Sequence, residues 1–428
     1  MNLLTNNISI SYGGKRMKML SRMLMLSLMM IGLTKIIYGQ GEAAVPFLLL
    51  APDSRAGAMG ETGTGLADNS AAIFWNPAGI AFLTGQEASV THSNWLPQFK
   101  LDLFYDYLTY RNYIESIQGS VTSSITYMNY GEFVRTGPDS PDPLGTFRSF
   151  DAALTLGYAT KLSSDWGLGL NFRIIHSNLS DQPTAEETGS GIATSVSFDI
   201  GAMWRPTSFN IDLWDSFNIP YLDIEFPGLQ TDLSNRFSVG MNLSNIGPKI
   251  FYIDKAQADP IPTNFRLGFA TILWKDEFNS LTWTLDFSKL LVNKLTKEEI
   301  IGKDTVNVTT VDPVYRALFS SWSNKPFSEE LRDIVTSVGL EYWYGLPGDF
   351  LFAVRGGFFY EDPSYGNRKF MTFGAGIRYD IYGFDFSYIS TSGFKDGENH
   401  PLNNTLRFTI SAGWDAVAEQ SLGLPRGI

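Results

Sequence analysis

From Asn404 to Gly413 the chain alternates without a break: Leu406, Phe408, Ile410 and Ala412 fall on one side, and Thr405, Arg407, Thr409, Ser411 and Gly413 on the other. A period of two that separates apolar from polar residues is the pattern of a β-strand between two solvents. Segments of the same kind recur along nearly the whole chain. That repetition, rather than any one segment, is the sequence pattern of a transmembrane β-barrel.

A period-two reading yields 14 strand candidates, an even number as single-chain barrels of this class require. They cover residues 86–94, 101–111, 115–128, 147–161, 166–176, 191–205, 235–246, 262–274, 280–288, 335–345, 350–360, 369–380, 382–391 and 404–414. The connections alternate in length, as barrels with short periplasmic turns and long extracellular loops demand. Short ones are Asn112–Ile114, Leu162–Asp165, Lys275–Asn279, Leu346–Asp349 and a tight turn at Ile381. Long ones are Asn129–Thr146, Ser177–Ser190, Gly247–Ile261, Lys289–Ile334, Glu361–Arg368 and Thr391–Asn403. Pro206–Ser234 breaks the rule, being long where a turn should be short, and reads as an extra hairpin or a periplasmic element. Within the insertion 289–334, Pro326 and Glu329–Glu330 open a candidate amphipathic helix over Ser328–Val335.

Composition agrees with an all-β membrane protein. The 428 residues are 44% hydrophobic and 14% aromatic, and mean hydropathy is −0.06, too polar for a bundle of membrane helices. The net charge of −12 opposes nucleic-acid binding, which needs a clustered positive surface. No cysteine is present, so disulfides, cysteine-ligated zinc and thiol nucleophiles are excluded. His92, His176 and His400 fall in three separate segments without metal-ligand spacing, so no metal and no cofactor are expected. No nucleophile-elbow motif locates a serine, which argues against a hydrolase.

At the N-terminus, Lys15, Arg16, Lys18 and Arg22 precede the apolar run Met23–Leu33, and Gly39–Gln40 closes it. This is the layout of a secretory signal peptide, too short to span a bilayer as a helix. The polar residues before it place the start of translation at Met17 or Met19 as an alternative. The expected organisation is therefore an upstream segment and signal peptide (1–40), an N-terminal plug or hatch (41–85), the barrel (86–414) and a C-terminal tail (415–428).

By alternation, Arg173, Arg236, Arg266, Arg355, Arg378 and Arg407 share the lumen with Asp151, Asp199, Asp286, Glu341 and Asp385. Both signs in a confined space are expected to pair and fill the barrel, although a polar pore would use the same residue types. In the long loops, Ile250, Phe251, Tyr252, Phe319 and Trp322 are candidates for partner contact, together with Asn367, Arg368 and His400. The same apolar side chains could instead pack on one another or enter lipid headgroups.

Ala44–Thr84 lacks alternation and is rich in Gly and Ala. It contains Arg55-Ala56-Gly57-Ala58-Met59-Gly60 and Phe74-Trp75-Asn76-Pro77-Ala78-Gly79, small residues that allow close packing inside a barrel. This block resembles the fatty-acid transporter FadL superfamily, in which an Asn-Pro-Ala segment belongs to a hatch within a 14-stranded barrel. Four further stretches resemble one branch, the PorV family of type IX secretion outer-membrane proteins: Pro52–Gly60, Ser337-Val338-Gly339 leading to Glu341–Tyr344, Gly366–Lys369, and Pro401–Phe408. One departure is that the chain continues past Trp414 to Ile428 instead of ending on a strand aromatic.

The resemblance implies a non-enzymatic outer-membrane protein with loops at the cell surface. Its implied partners are a giant translocon barrel, the C-terminal domains of exported cargo, and a protease-like protein that attaches cargo to the surface. Outer-membrane lipid and the barrel assembly machinery are partners of any such barrel. The wider superfamily implies an alternative, a channel for hydrophobic small molecules, with Phe74, Trp75, Ile80 and Phe82 as candidate lining.

Overall fold

The computed structural model describes residues 43–414 apart from 137–141, 181–189, 215–216, 220–223, 227–228, 255–256, 302–303, 347–349 and 395–396. The signal peptide and the tail 415–428 lie outside the described residues, as do the side chains of 212–230 and 295–309.

In chain order the first strands are β1 (Gln86–Asn94), β2 (Phe104–Ile114), β3 (Gly119–Thr136), β4 (Pro143–Lys161), β5 (Trp166–Ser180) and β6 (Gly191–Trp204). Four short strands follow, β7 (Asn210–Trp214), β8 (Phe217–Ile219), β9 (Ile224–Phe226) and β10 (Leu229–Asp232). Then come β11 (Phe237–Ile246), β12 (Asn264–Lys275), β13 (Asn279–Leu290), β14 (Lys294–Ile301) and β15 (Asp304–Val311). The last are β16 (Val335–Tyr344), β17 (Leu351–Tyr360), β18 (Lys369–Tyr379), β19 (Tyr382–Ser390) and β20 (Leu406–Trp414). Fourteen of them, β1–β6, β11–β13 and β16–β20, close into one antiparallel barrel, with β1 paired to β20.

Each of the 14 segments read from alternation is one of these strands. In β20, Arg407, Thr409 and Ser411 are buried while Phe408 and Ile410 are exposed, which puts the polar face inward. The opposite face carries Leu108, Ile125, Leu154, Leu170, Ile200, Val354 and Phe373, all exposed. A closed barrel satisfies every strand edge and turns a hydrocarbon-compatible surface outward, the one way a sheet can cross a bilayer. Aromatic rings bound that surface. One row runs His92, Phe104, Tyr127, Phe150 and His176 across β1–β5, with neighbouring centroids 5.6–6.1 Å apart, and Trp166 and Trp204 stand at the other end of β5 and β6. The ten steps from Trp166 to His176 span about 23 Å of height at the usual rise and tilt, the thickness of an apolar band.

Several boundaries differ from the sequence reading. β3 and β4 pair through most of the expected loop 129–146, because Glu132–Thr136 and Pro143–Thr146 extend the ladder into water with both faces exposed. β5 likewise runs on to Ser180. β2 absorbs Asn112–Ile114, and the turn falls at Glu115–Gln118 instead. The long segment 206–234 is a hairpin in two tiers, β7 with β10 and β8 with β9. In the insertion after β13, the chain forms the hairpin β14–β15 and two short helices, α1 (Val314–Ser320) and α2 (Phe327–Arg332). Pro326 caps α2 as expected, but the helix ends at Arg332 because Val335 already pairs with Ser288 as the first residue of β16.

Candidate functional site: the filled lumen and its long-loop mouth

The segment between residue 43 and β1 is packed within the barrel. It makes contacts with β3–β6 on one side and β18–β20 on the other, and most of its residues are buried. Its local structure comes from caps and small residues. Asp53 accepts from the Ala56 amide at 3.0 Å, starting the turn Ser54–Gly57, and its other oxygen accepts from the Trp75 indole at 2.7 Å. Asn76 accepts from the Ala78 amide at 3.1 Å, with Pro77 in the first-turn position where no amide is needed. The Asn76 amide also donates to Ala202 of β6 at 3.0 Å. Gly60 has φ +70°, and a Cβ there would lie 2.6 Å from the carbonyls of Val338 and Phe358. Glycine is what lets the segment touch the barrel backbone.

Charged side chains tie this segment to the wall. Arg55 donates to Asp68 at 2.6 Å and to both oxygens of Glu341 at 2.6 and 2.7 Å. Glu341 also accepts from Arg355 at 2.7 Å; Arg355 reaches Asp385 at 2.8 Å, and Arg378 closes on Asp385 at 2.6 Å. The result is a continuous row of alternating sign, Asp68, Arg55, Glu341, Arg355, Asp385, Arg378, with every member buried. Such a row offsets the desolvation of each inner member by two neighbours of opposite sign and of Asp68 and Arg378, at its ends, by one. Elsewhere Arg407 pairs with Glu61 at 3.1 Å, Arg173 with Asp199 at 2.8 Å and with Asn245, and Arg111 with Glu87 at 3.0 Å. Asp286 accepts from the amides of Gly63 and Thr64 at 2.9 and 2.8 Å, and Asp151 accepts from the Tyr130 hydroxyl at 2.7 Å.

Of the lumen residues expected from alternation, Glu341, Arg355, Asp385 and Arg378 share one network. Arg407, Arg173, Asp199, Asp286 and Asp151 lie in separate ones. Arg266 has no carboxylate at ion-pair distance among the described residues; its guanidinium stacks on Phe74 and Trp75 at 5.0 and 4.8 Å. Arg236 stands one residue before β11, half-buried at the short-turn end. Arg55, Glu61 and Asp68 were missed because their segment has no period to read. Glu87 and Arg111 were legible, being inward by parity and directly opposite in register.

At the long-loop end a cavity of about 390 Å³ opens between the inner segment and the wall. Pro46, Leu49 and Trp75 line one side, Arg266, Phe359 and Arg368 the other. Of the aromatic and apolar residues expected to line an apolar cavity, only Trp75 does so; Ile80 is fully buried, Phe74 is covered by Arg266, and Phe82 by Arg205.

The loop residues separate into two groups. Ile250 is a correction: it is 2% exposed, because its backbone bridges to Asp259 and its side chain joins the core beneath the loop. Tyr252 is half-buried with its hydroxyl 2.9 Å from Ser177. Phe251, Phe319, Trp322 and Asn367 are exposed. Arg368 pairs with Glu361 at 2.8 Å. His400 accepts from the Leu402 amide through Nδ1 at 3.2 Å, and burial together with the nearby Arg368 charge holds its imidazole below the ordinary histidine range. His92 and His176 are on the outward face, bonded to Asp106 and Thr194.

No curated protein matches this chain. Among solved structures, a FadL homologue of Pseudomonas aeruginosa is 12% identical, with a TM-score of 0.45 over 85% of this chain and 98% of that one. The toluene transporters TodX of Pseudomonas putida and TbuX of Ralstonia pickettii are 12% and 11% identical, with TM-scores of 0.43 and 0.41; the alignments cover 89% and 84% of this chain and 98% and 96% of theirs. The family model described as type IX secretion system protein PorV matches residues 40–297, from the start of the inner segment to β14 and more than half of the chain. This closed 14-strand barrel, whose inner segment is bonded to the wall, therefore belongs to the PorV family, outer-membrane components of the type IX secretion system.

Proposed function

We propose that this protein is a binding and shuttle component. It receives exported proteins by their C-terminal domains at the long-loop mouth, after they leave the giant translocon barrel, and passes them to the protease-like attachment protein at the cell surface. One observation carries this reading: Arg55 is held on one side by Asp68 and on the other by Glu341 of the wall, so charge pairs occupy the lumen that a transported polypeptide would need. The inner segment then acts as a plug, and binding is left to the loops, where Phe251 and Asn367 are exposed. The test is to tag the protein, extract it from native outer membranes in mild detergent and identify by mass spectrometry what accompanies it. Recovery of a very large barrel subunit and of cargo sharing a C-terminal domain is expected; recovery of the barrel alone would overturn the shuttle reading.

The mouth cavity favours a second reading, a channel or store for a hydrophobic small molecule. Leu49, Trp75 and Phe359 supply apolar walls and Arg266, stacked on Phe74 and Trp75, a cation with no carboxylate at ion-pair distance among the described residues, while Glu61, Asp286, Asp333 and Glu361 make the rest of the lining acidic. Solvent extraction of the purified protein followed by lipid mass spectrometry decides it, and an extract free of lipid and fatty acid would remove it.

A further inference from the structure

Phe265 and Lys289 face each other across β12 and β13. Both point away from the lumen, since their neighbours Arg266 and Ser288 line the inner cavity. Lys289 is nevertheless buried, because the segment after β15 folds against the outside of the barrel. Trp322 meets the Phe265 ring edge-on at 5.7 Å, and the Lys289 ammonium lies 5.5 Å from the Trp322 ring. Lys289 Nζ donates to Glu330 at 2.6 Å and to Asp333 at 2.8 Å. These contacts hold the turn after α1, through Trp322, and α2, through Glu330, against β12 and β13 at the barrel rim, where Asp333 also lines the mouth cavity.

Their height follows from the strand. Trp274, paired with Leu281, marks the short-turn end of β12 on the outward face. A bulge between Ile272 and Trp274 takes up one residue, so eight ladder positions separate this pair from Phe265 and Lys289, about 19 Å at the usual rise and tilt and approaching the thickness of the apolar band. Phe265 and the Trp322 ring against it therefore lie near the upper edge of that band, close to headgroup level, between α1 and α2 in the chain. There Tyr315 and Phe319 of α1, and Phe327 and Leu331 of α2, form two i, i+4 pairs that are 69%, 78%, 78% and 53% exposed.

We propose that α1 and α2 form an interfacial foot whose aromatic side chains enter the outer leaflet beside the barrel. Lipid is the occupant because the exposed stripe continues the lipid-facing wall through Trp322 and Phe265, and because aromatic residues at this height are the residue types of a membrane interface. The three-way pairing of Lys289, Glu330 and Asp333 fixes the foot to the wall, so these side chains are presented in one orientation.

The absence of cysteine makes any introduced thiol unique. Phe319→Cys, Phe327→Cys and Glu329→Cys, each carrying a nitroxide label on the full-length protein in lipid nanodiscs, can be compared by power saturation with oxygen and with a water-soluble nickel chelate. The ratio of oxygen to nickel collisions is expected to be several-fold higher at 319 and 327 than at 329, which lies on the other side of α2. Nickel-dominated collisions at 319 and 327 would overturn the proposal and make the surface a water-exposed docking face. Shielding from both reagents would overturn it in favour of a protein contact. Retention of heat-modifiable mobility identifies folded variants, and Tyr315→Cys replaces any that fail.

Discussion

Glu341 accepts hydrogen bonds from two arginines, one on the inner segment and one on β17, and is fully buried between them. Replacing it leaves two guanidinium groups without their shared counter-charge. Glu341→Gln is therefore expected to lower stability by about 3–5 kcal/mol, the range for breaking a buried ion pair from one side. Urea unfolding of the refolded protein in lipid vesicles measures this, and an unchanged midpoint would contradict it. His400 makes a pH prediction. Its native imidazole binds protons less readily than the unfolded one, so its contribution to loop stability is present above about pH 6.5 and is lost as pH falls through the lower native value. Protonation also removes the Nδ1 acceptor for the Leu402 amide. Protection of the amides in 397–405, corrected for the intrinsic pH dependence of exchange, is expected to fall between pH 7 and pH 5 in the native protein and to change little in His400→Gln. At this scale the wall residues of the charged row were readable because alternation assigns each an inward position. Arg55 and Asp68, which complete that row, stand in a block without a period, so no spacing argument reaches them.

Among elements, the barrel strands were the most legible. Period two operates wherever one face meets hydrocarbon and the other meets water, and each strand carries that mark within itself. Strand ends were less so: Glu132–Thr136 and Pro143–Thr146 have water on both faces, so nothing in their polarity separates strand from loop. The helix α2 was announced by Pro326 and its acidic first turn, whereas α1 follows Pro313 without an acidic first turn and went unread. The inner segment depends on the wall's glycines as much as on its own. A Cβ at Gly357 of β17 would overlap the Gly60 amide. Gly357→Val is thus expected to leave the barrel closed while displacing the segment around Gly60. Limited proteolysis should then cut within 50–65 in the variant and spare the native protein, and equal resistance of the two would count against this packing.

At the scale of the whole molecule, the inner segment and the wall form one filled body. Ion pairs at Arg55 and Glu61, and the Asp286 bonds to Gly63 and Thr64, anchor the segment around the inner wall at β13, β16 and β20. Removing residues 44–84 is expected to convert a silent protein into a conducting one in planar bilayers, with steps that flicker as the unpaired wall charges move. A native protein that already conducts, or a deletion variant that does not, would show that the segment is not the seal. Alternation and connection length by themselves determined the strand number, the inward and outward faces and the end at which the long loops gather, because a barrel in a bilayer imposes its two solvents on every strand separately. Which charges meet, where the cavity opens, that Ile250 is buried and that Trp322 packs on Phe265 of the wall were decided only by tertiary structure. Those outcomes depend on distances between residues hundreds of positions apart, such as Arg55 and Glu341, which no local periodicity records.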